Sequence, residues 1–278
     1  MTCAVVAAGC SANRPVATRT SVTAPARPVA TAPTTTTVPP TTTPRSTTTT
    51  AAPVPRPVPP TTTLPPPAPA PPALPVAADL VDGAGQVVVV TAPSYGDTVA
   101  TLTAYQQSAT GWQAVLGPWP ADLGWNGFAP PGAKHEGDGR TPSGSFGFGF
   151  FFGIDPDPGV AFAYRPVTGP NLVWDDDPTS PDYNQWVDEN QQGVAAAGAS
   201  PEPMDDPPYY DYGAVIDYNT DPVVPGAGSA IFLHVTTGGT TAGCVAIPEG
   251  DLLEVLRWLN PSLNPRIVMG TTATVSGG

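Results

Sequence analysis

The run Ile231-Phe232-Leu233-His234-Val235 leads through a Thr/Gly loop into Thr241-Ala242-Gly243-Cys244-Val245, which sets a histidine ten residues ahead of a cysteine. An imidazole that reaches a thiol can take its proton, and the thiolate so formed attacks acyl carbons. The glycines between them permit a sharp return. The Gly243-Cys244 peptide can then present N–H groups to the space in front of the sulfur, where the oxyanion of a tetrahedral intermediate forms. The other two cysteines, Cys3 and Cys10, lie at the extreme N-terminus, so Cys244 has no disulfide partner nearby. A lone cysteine is often a buried small hydrophobe. Here the neighbouring histidine strand and the Gly-rich turn point instead to nucleophilic acyl transfer.

Period-2 alternation on residues 231–235 puts Phe232 and His234 on one face and Ile231, Leu233 and Val235 on the other. His234 thereby leaves the sheet beside an aromatic wall. Further strands are expected from the valine run Gln86–Thr91, from Val99–Tyr105 and Trp112–Leu116 with Gly111 in the turn between them, and at Ala214–Tyr218, Cys244–Ile247 and Arg266–Met269. Phe146, Phe148, Phe150 and Phe152 alternate with Gly147 and Gly149, which reads as one strand with an aromatic core face and a bare face. An aromatic platform for a ligand is the sharper alternative.

One helix is convincing: Pro248 suits its first turn, Glu249 and Asp251 complement its N-terminal end, and Leu252, Leu256 and Leu259 form its buried stripe before Asn260-Pro261. The expected fold is mainly β, a sandwich or barrel-like sheet with one or two helices packed against it. Residues 154–211 are acidic, aromatic and Pro-rich, with no obvious regular structure. A segment of that length inside a compact domain often covers a site.

Composition divides the chain. Residues 11–78 hold no acid and no aromatic, and consist almost wholly of Pro, Thr, Ala and Val with five arginines. Such a segment cannot bury enough apolar area to offset its ordering entropy, so a disordered linker is expected there. Fully extended at about 3.1 Å per residue, it would reach roughly 200 Å. Residues 79–278 carry all 23 acids against five basic residues, a net −18. That charge argues against nucleic acid or an anionic membrane as a direct partner of the domain.

Residues 1–10 end in Ala7-Ala8-Gly9-Cys10, and small residues before a cysteine after an apolar run resemble a lipoprotein signal in which Cys10 is lipidated. Nothing basic precedes Cys10 and the apolar run is short, so a start codon placed too late and a merely small-residue N-terminus are the two readings of this segment. An exported, cell-envelope location follows from the first, with membrane contact only through an N-terminal lipid.

The C-terminal part resembles the L,D-transpeptidase catalytic domain of the YkuD type. The likeness rests on Glu136-Gly137-Asp138-Gly139-Arg140-Thr141-Pro142-Ser143-Gly144, on Tyr183-Asn184, on Gly228-Ser229-Ala230-Ile231-Phe232-Leu233-His234, on Gly243-Cys244 and on Pro265-Arg266-Ile267-Val268, in that order. The resemblance implies that Cys244 attacks the amide between the L-centre and D-Ala of a peptidoglycan stem tetrapeptide. His234 would act as base, Gly243 would help to form the oxyanion hole, and a side-chain amine of a second stem would be the acceptor. In that family a backbone carbonyl, rather than an acid, commonly orients the histidine. Thr241 occupies the family's Ser/Thr position and would shape the loop.

Phe232, Thr241, Tyr183 and Asn184 are expected to meet substrate, and Arg140 or Lys134 to recognise its carboxylates. Better-known members carry His where this chain has Ala242, and many carry Arg where it has Ala246. No cofactor is implied. The soft ligands His135, His234 and Cys244 lack the helical His pair of a usual zinc site. The acids at Asp175-Asp176-Asp177 lack the spacing of a calcium loop, and His135 reads as an exposed loop residue. Hydrolysis of the same peptides and non-catalytic wall binding are the rival functions, and acceptor choice depends on pocket shape rather than motif.

Overall fold

The computed structural model describes residues 73–191 and 201–277. The Cys10 segment and residues 11–72 of the expected linker lie outside them. Folded structure begins slightly earlier than composition suggests. Val76 is buried against Val87, Val268 and Val275, and the Ala77 N–H donates to the Val275 carbonyl at 2.7 Å, so residues 73–78 pack on the domain instead of continuing the linker. No helix of the described residues is long and apolar enough to cross a membrane.

The architecture is a curled ten-stranded sheet. Strands β1 (Gln86–Ala92), β2 (Val99–Ser108) and β3 (Gly111–Asp122) form an antiparallel meander. Two-residue strands β4 (Phe128–Ala129) and β5 (Thr141–Pro142) pair with each other. Next come β6 (Gly144–Phe146), β7 (Phe148–Gly153) and β8 (Tyr164–Pro166). The covering segment contains β9 (Leu172–Asp175), β10 (Gln185–Asp188) and β11 (Glu202–Pro203), and then the chain returns through β12 (Gly213–Ile216), β13 (Phe232–Val235) and β14 (Val245–Ile247). Helix α1 (Glu249–Trp258), strand β15 (Arg266–Thr271) and helix α2 (Thr272–Val275) close it. The order across the large sheet is β6-β15-β1-β2-β3-β14-β13-β12-β7-β8. Its two halves meet where Ala246 of β14 pairs with Asp122 of β3.

Alternation sorts the side chains. Val88 and Val90 of β1, Leu233 and Val235 of β13, and Leu252, Val255, Leu256 and Leu259 on and just after α1 share the main core. The opposite face of the second half bears Phe152, Val215, Phe232 and Cys244, and Trp174, Met204 and Tyr210 cover it. Each fully buried side chain of this size stabilises by about 1.5–3 kcal/mol.

Two expectations are corrected. The phenylalanine row is not one face of one strand: β6 pairs with β15 while β7 pairs with β12, so the chain changes partners at Gly147. A bulge in the β7/β12 register then puts Phe148 and Phe151 in the main core and Phe150 and Phe152 on the other side. The 154–211 segment is also more regular than its composition suggests, because β10, β9 and β11 make a three-stranded sheet of their own.

Candidate active site

Cys244 stands immediately before β14. In the parallel β13/β14 ladder Leu233 pairs with Val245 and His234 with Ala246, so Cys244 and Ala246 share the face that carries Phe232 and His234. Thiol and imidazole both border one hollow of about 340 Å³, whose opposite wall is the cover segment with Glu202, Asp206, Tyr209 and Tyr210. The side chain at 246 is a methyl group level with the imidazole.

The sulfur accepts the Phe232 N–H at 3.3 Å and donates to the Ala230 carbonyl at 3.2 Å. Among the described residues no hydrogen bond joins it to the imidazole. Nδ1 of His234 lies 2.9 Å from the Val235 carbonyl. A carbonyl only accepts, so Nδ1 carries the proton and Nε2 keeps its lone pair. A main-chain carbonyl thus orients this imidazole. Burial pushes the imidazole down to about 4, against the opposing pull of the Val235 and Tyr209 carbonyls. Burial pushes the thiol up to about 12, and the Phe232 N–H offsets part of the rise. Both groups therefore rest uncharged at neutral pH.

Threonine hydroxyls fix the approach to the cysteine. Thr241 Oγ1 donates to the Cys244 carbonyl at 2.8 Å and accepts the Gly243 N–H at 3.1 Å, and Thr141 Oγ1 reaches the same carbonyl at 3.2 Å. The Gly243 N–H is thus engaged within the loop. Gly243 has φ +155°, and a Cβ there would lie 3.0 Å from the Arg140 carbonyl, so the turn depends on glycine.

Glu136 binds the motifs together. Its Oε2 accepts from the Tyr183 hydroxyl and, at 2.7 Å, from Ser229 Oγ. The Tyr183 oxygen in turn accepts the Gly228 N–H at 3.1 Å, and Asn184 Oδ1 accepts the Ala230 N–H at 3.1 Å. These bonds hold Ala230 at φ +52°, a left-handed conformation uncommon outside glycine, with its carbonyl on the thiol.

The other residues singled out in the sequence divide clearly. Lys134 borders the hollow, but its Nζ is paired with Asp138 at 2.8 Å. Arg140 lies off the hollow, its guanidinium donating to the Asn126 and Phe128 carbonyls at 2.7 and 2.9 Å. Tyr183 and Asn184 sit behind it as braces. The Phe232 ring is fully buried against Phe152, Trp174 and Tyr210, so it backs the sulfur rather than facing the hollow. His135 is exposed, beside the Glu136 carbonyl.

The aromatic neighbours of the imidazole are instead Tyr210 and Tyr209, with centroids at 5.4 and 6.4 Å. The Tyr210 hydroxyl donates to Glu202 at 2.7 Å, and burial raises the Glu202 carboxyl. Asp176, also on the hollow, rises to about 6 through burial and the nearby Glu136 and Glu202. Only the acidic and aromatic composition of 154–211 hinted at these cover residues, and it assigns no register. Thr141 lay within a quoted motif without a role.

The curled β-sheet thus presents a thiol and an imidazole, each bonded to its own backbone partner, to one open hollow. The chain belongs to the YkuD family, matching its L,D-transpeptidase catalytic domain over residues 85–275. Among solved structures it is similar to the helical cell shape determining protein Pgp2 from Campylobacter jejuni, at 14% identity and a TM-score of 0.33. That match covers 70% of this chain and 53% of the other, so the chain spans about half the length of that protein. No curated protein matches it.

Proposed function

We propose that this protein transfers acyl groups between peptidoglycan stem peptides through a thioester on Cys244. The observation that carries the reading is the common face of His234 and Cys244, both bordering one accessible hollow. Substrate entry turns the thiol from the Ala230 carbonyl to Nε2 of His234. As sulfur bonds to the carbonyl carbon between the L-centre and D-Ala, its proton passes to the imidazole. Backbone N–H groups of the 241–244 turn receive the oxyanion, with Gly243 contributing once its bond to Thr241 opens. The C–N bond then breaks, and His234 returns the proton to the departing D-Ala amine. The acceptor's side-chain amine attacks the thioester, loses a proton to His234 and forms the cross-link, and the sulfur leaves and takes that proton back.

Lys134 is the cation best placed for a substrate carboxylate, once Asp138 releases it; Arg140 is held elsewhere. The family's link to the cell wall supports an exported enzyme in the envelope, with Cys10 as a lipid attachment and the Pro/Thr stretch as a spacer.

Intact-mass spectrometry after mixing with tetrapeptide stems tests the reading. The expected product is a tripeptidyl adduct on Cys244 with release of D-Ala, followed by cross-linked dimer, and none of these with Cys244→Ala. Release of D-Ala without dimer would make water the acceptor and the protein a hydrolase. Sacculus binding with no adduct would leave only a wall-binding module.

A further inference from the structure

A second cavity, of about 440 Å³, opens beside Phe150, Arg165, Trp174, Trp186 and Asp217. Its surface is aromatic: the Phe150 ring stands 5.6 Å from Trp186 and 6.2 Å from Trp174 between centroids, and the Arg165 guanidinium lies 3.6 Å over the Phe150 ring. The bare glycines of the phenylalanine stretch face this groove's acid. A Cβ on Gly147 or Gly149 would come within 2.8 or 2.9 Å of the Asp217 carboxylate oxygens. Among the described residues the single ion pair is Lys134–Asp138, and neither Arg165 nor Asp217 spends its side chain in a hydrogen bond. The mechanism proposed above uses none of these groups.

One cation and one anion on an aromatic floor suit a ligand with no net charge, flat apolar faces and many hydroxyls around its edge. Phosphate would meet Asp217, an ammonium would meet Arg165, and a purely apolar ligand would strand both. A sugar ring satisfies all three demands: its C–H face lies against the half-buried Trp186 beside the Arg165 guanidinium that covers Phe150, and its hydroxyls and amide reach Asp217, Arg165 and the rim residues Gln185 and Thr220.

We infer that this groove binds a saccharide, the glycan strand that bears the stem peptide. The choice of glycan rests on the peptidoglycan reading above. Continuity with the thiol site supports it. Trp174 Nε1 donates to Asn184 Oδ1 at 2.9 Å, and that same oxygen holds the N–H of Ala230, whose carbonyl takes the thiol proton bond. One wall serves both cavities.

The test titrates the full chain with a peptide-free N-acetylglucosamine tetrasaccharide and follows tryptophan fluorescence. The expected result is a saturable change, weakened about tenfold or more by Arg165→Ala and by Asp217→Asn, and unaltered in Cys244→Ala. Thermal melts accompany each variant, and exposed Gln185→Ala replaces any that melts early. Absence of a saturable change in the unmodified protein, or undiminished affinity in the groove variants, overturns the inference. The probe has no acyl group. Binding without acylation on stem peptides would therefore sink the transferase and keep the groove, and acylation without binding would do the reverse.

Discussion

Burial takes both His234 and Cys244 out of water, and each answers by shedding its charge. For the histidine, the folded value of about 4 lies below the unfolded value near 6.5, so the unfolded chain binds the extra proton between them. Its stabilising contribution is complete above about pH 6.5 and is lost as pH falls toward 4, a span on the order of 3 kcal/mol. Thermal melts from pH 7 to 4 should therefore fall less steeply for His234→Asn than for the native protein, and parallel curves would contradict this. For the cysteine, a folded value of about 12 means that little thiolate exists at neutral pH. Iodoacetamide labelling of Cys244 should be slow at pH 7.5 and climb about tenfold per pH unit. The carbonyl of Cys244 is held by two threonine hydroxyls, so Thr241→Val leaves only Thr141 on it. We expect a stability loss of about 1 kcal/mol and a larger, roughly ten- to hundredfold, loss of acylation rate, read by stopped-time mass spectrometry.

At the level of elements, the connection between the parallel strands β13 and β14 has to bring the chain back along β13 within residues 236–244, and it passes through Gly243 just before the cysteine. Gly243→Ala puts a methyl against the Arg140 carbonyl at a φ unfavourable to side chains. The cost is about 1–3 kcal/mol and falls on the loop. Acylation should drop while far-ultraviolet circular dichroism stays native. Much of this geometry was legible beforehand: the valine run of β1, the two-face alternation of β13, the leucine stripe of α1 and the His/Cys spacing all follow from local periodicity. What was not legible depends on partners distant in sequence. Nothing within Phe146–Phe152 announces that the chain changes neighbours at Gly147 or that β7 bulges against β12. The short strands β9–β11 hide in a Pro- and Asp-rich stretch, so Tyr210 and Glu202 could not be assigned to the imidazole. Arg140, Tyr183 and Asn184 carried a family-like signature but brace the site from behind. A motif records what is needed, not whether it touches substrate.

For the molecule as a whole, residues 79–278 bear a net −18, and acids also line the hollow opposite Lys134. On the proposed function, an anionic stem peptide would approach against that field. Acylation by such stems should speed up severalfold between about 10 and 150 mM salt, as screening shortens the reach of the repulsion to roughly 8 Å, whereas an amidated, neutral stem should show little dependence. The buried Cys244 thiol, the one cysteine among the described residues, has a further consequence. Peroxides and other oxidants react with thiolates, and here burial and the bond to the Ala230 carbonyl keep the resting thiol protonated. A head group working beyond the reach of cytosolic reductants would thus keep its nucleophile intact between turnovers, and because no cross-link ties Cys244 to the rest of the fold, the domain should mature equally well in reducing and oxidising surroundings.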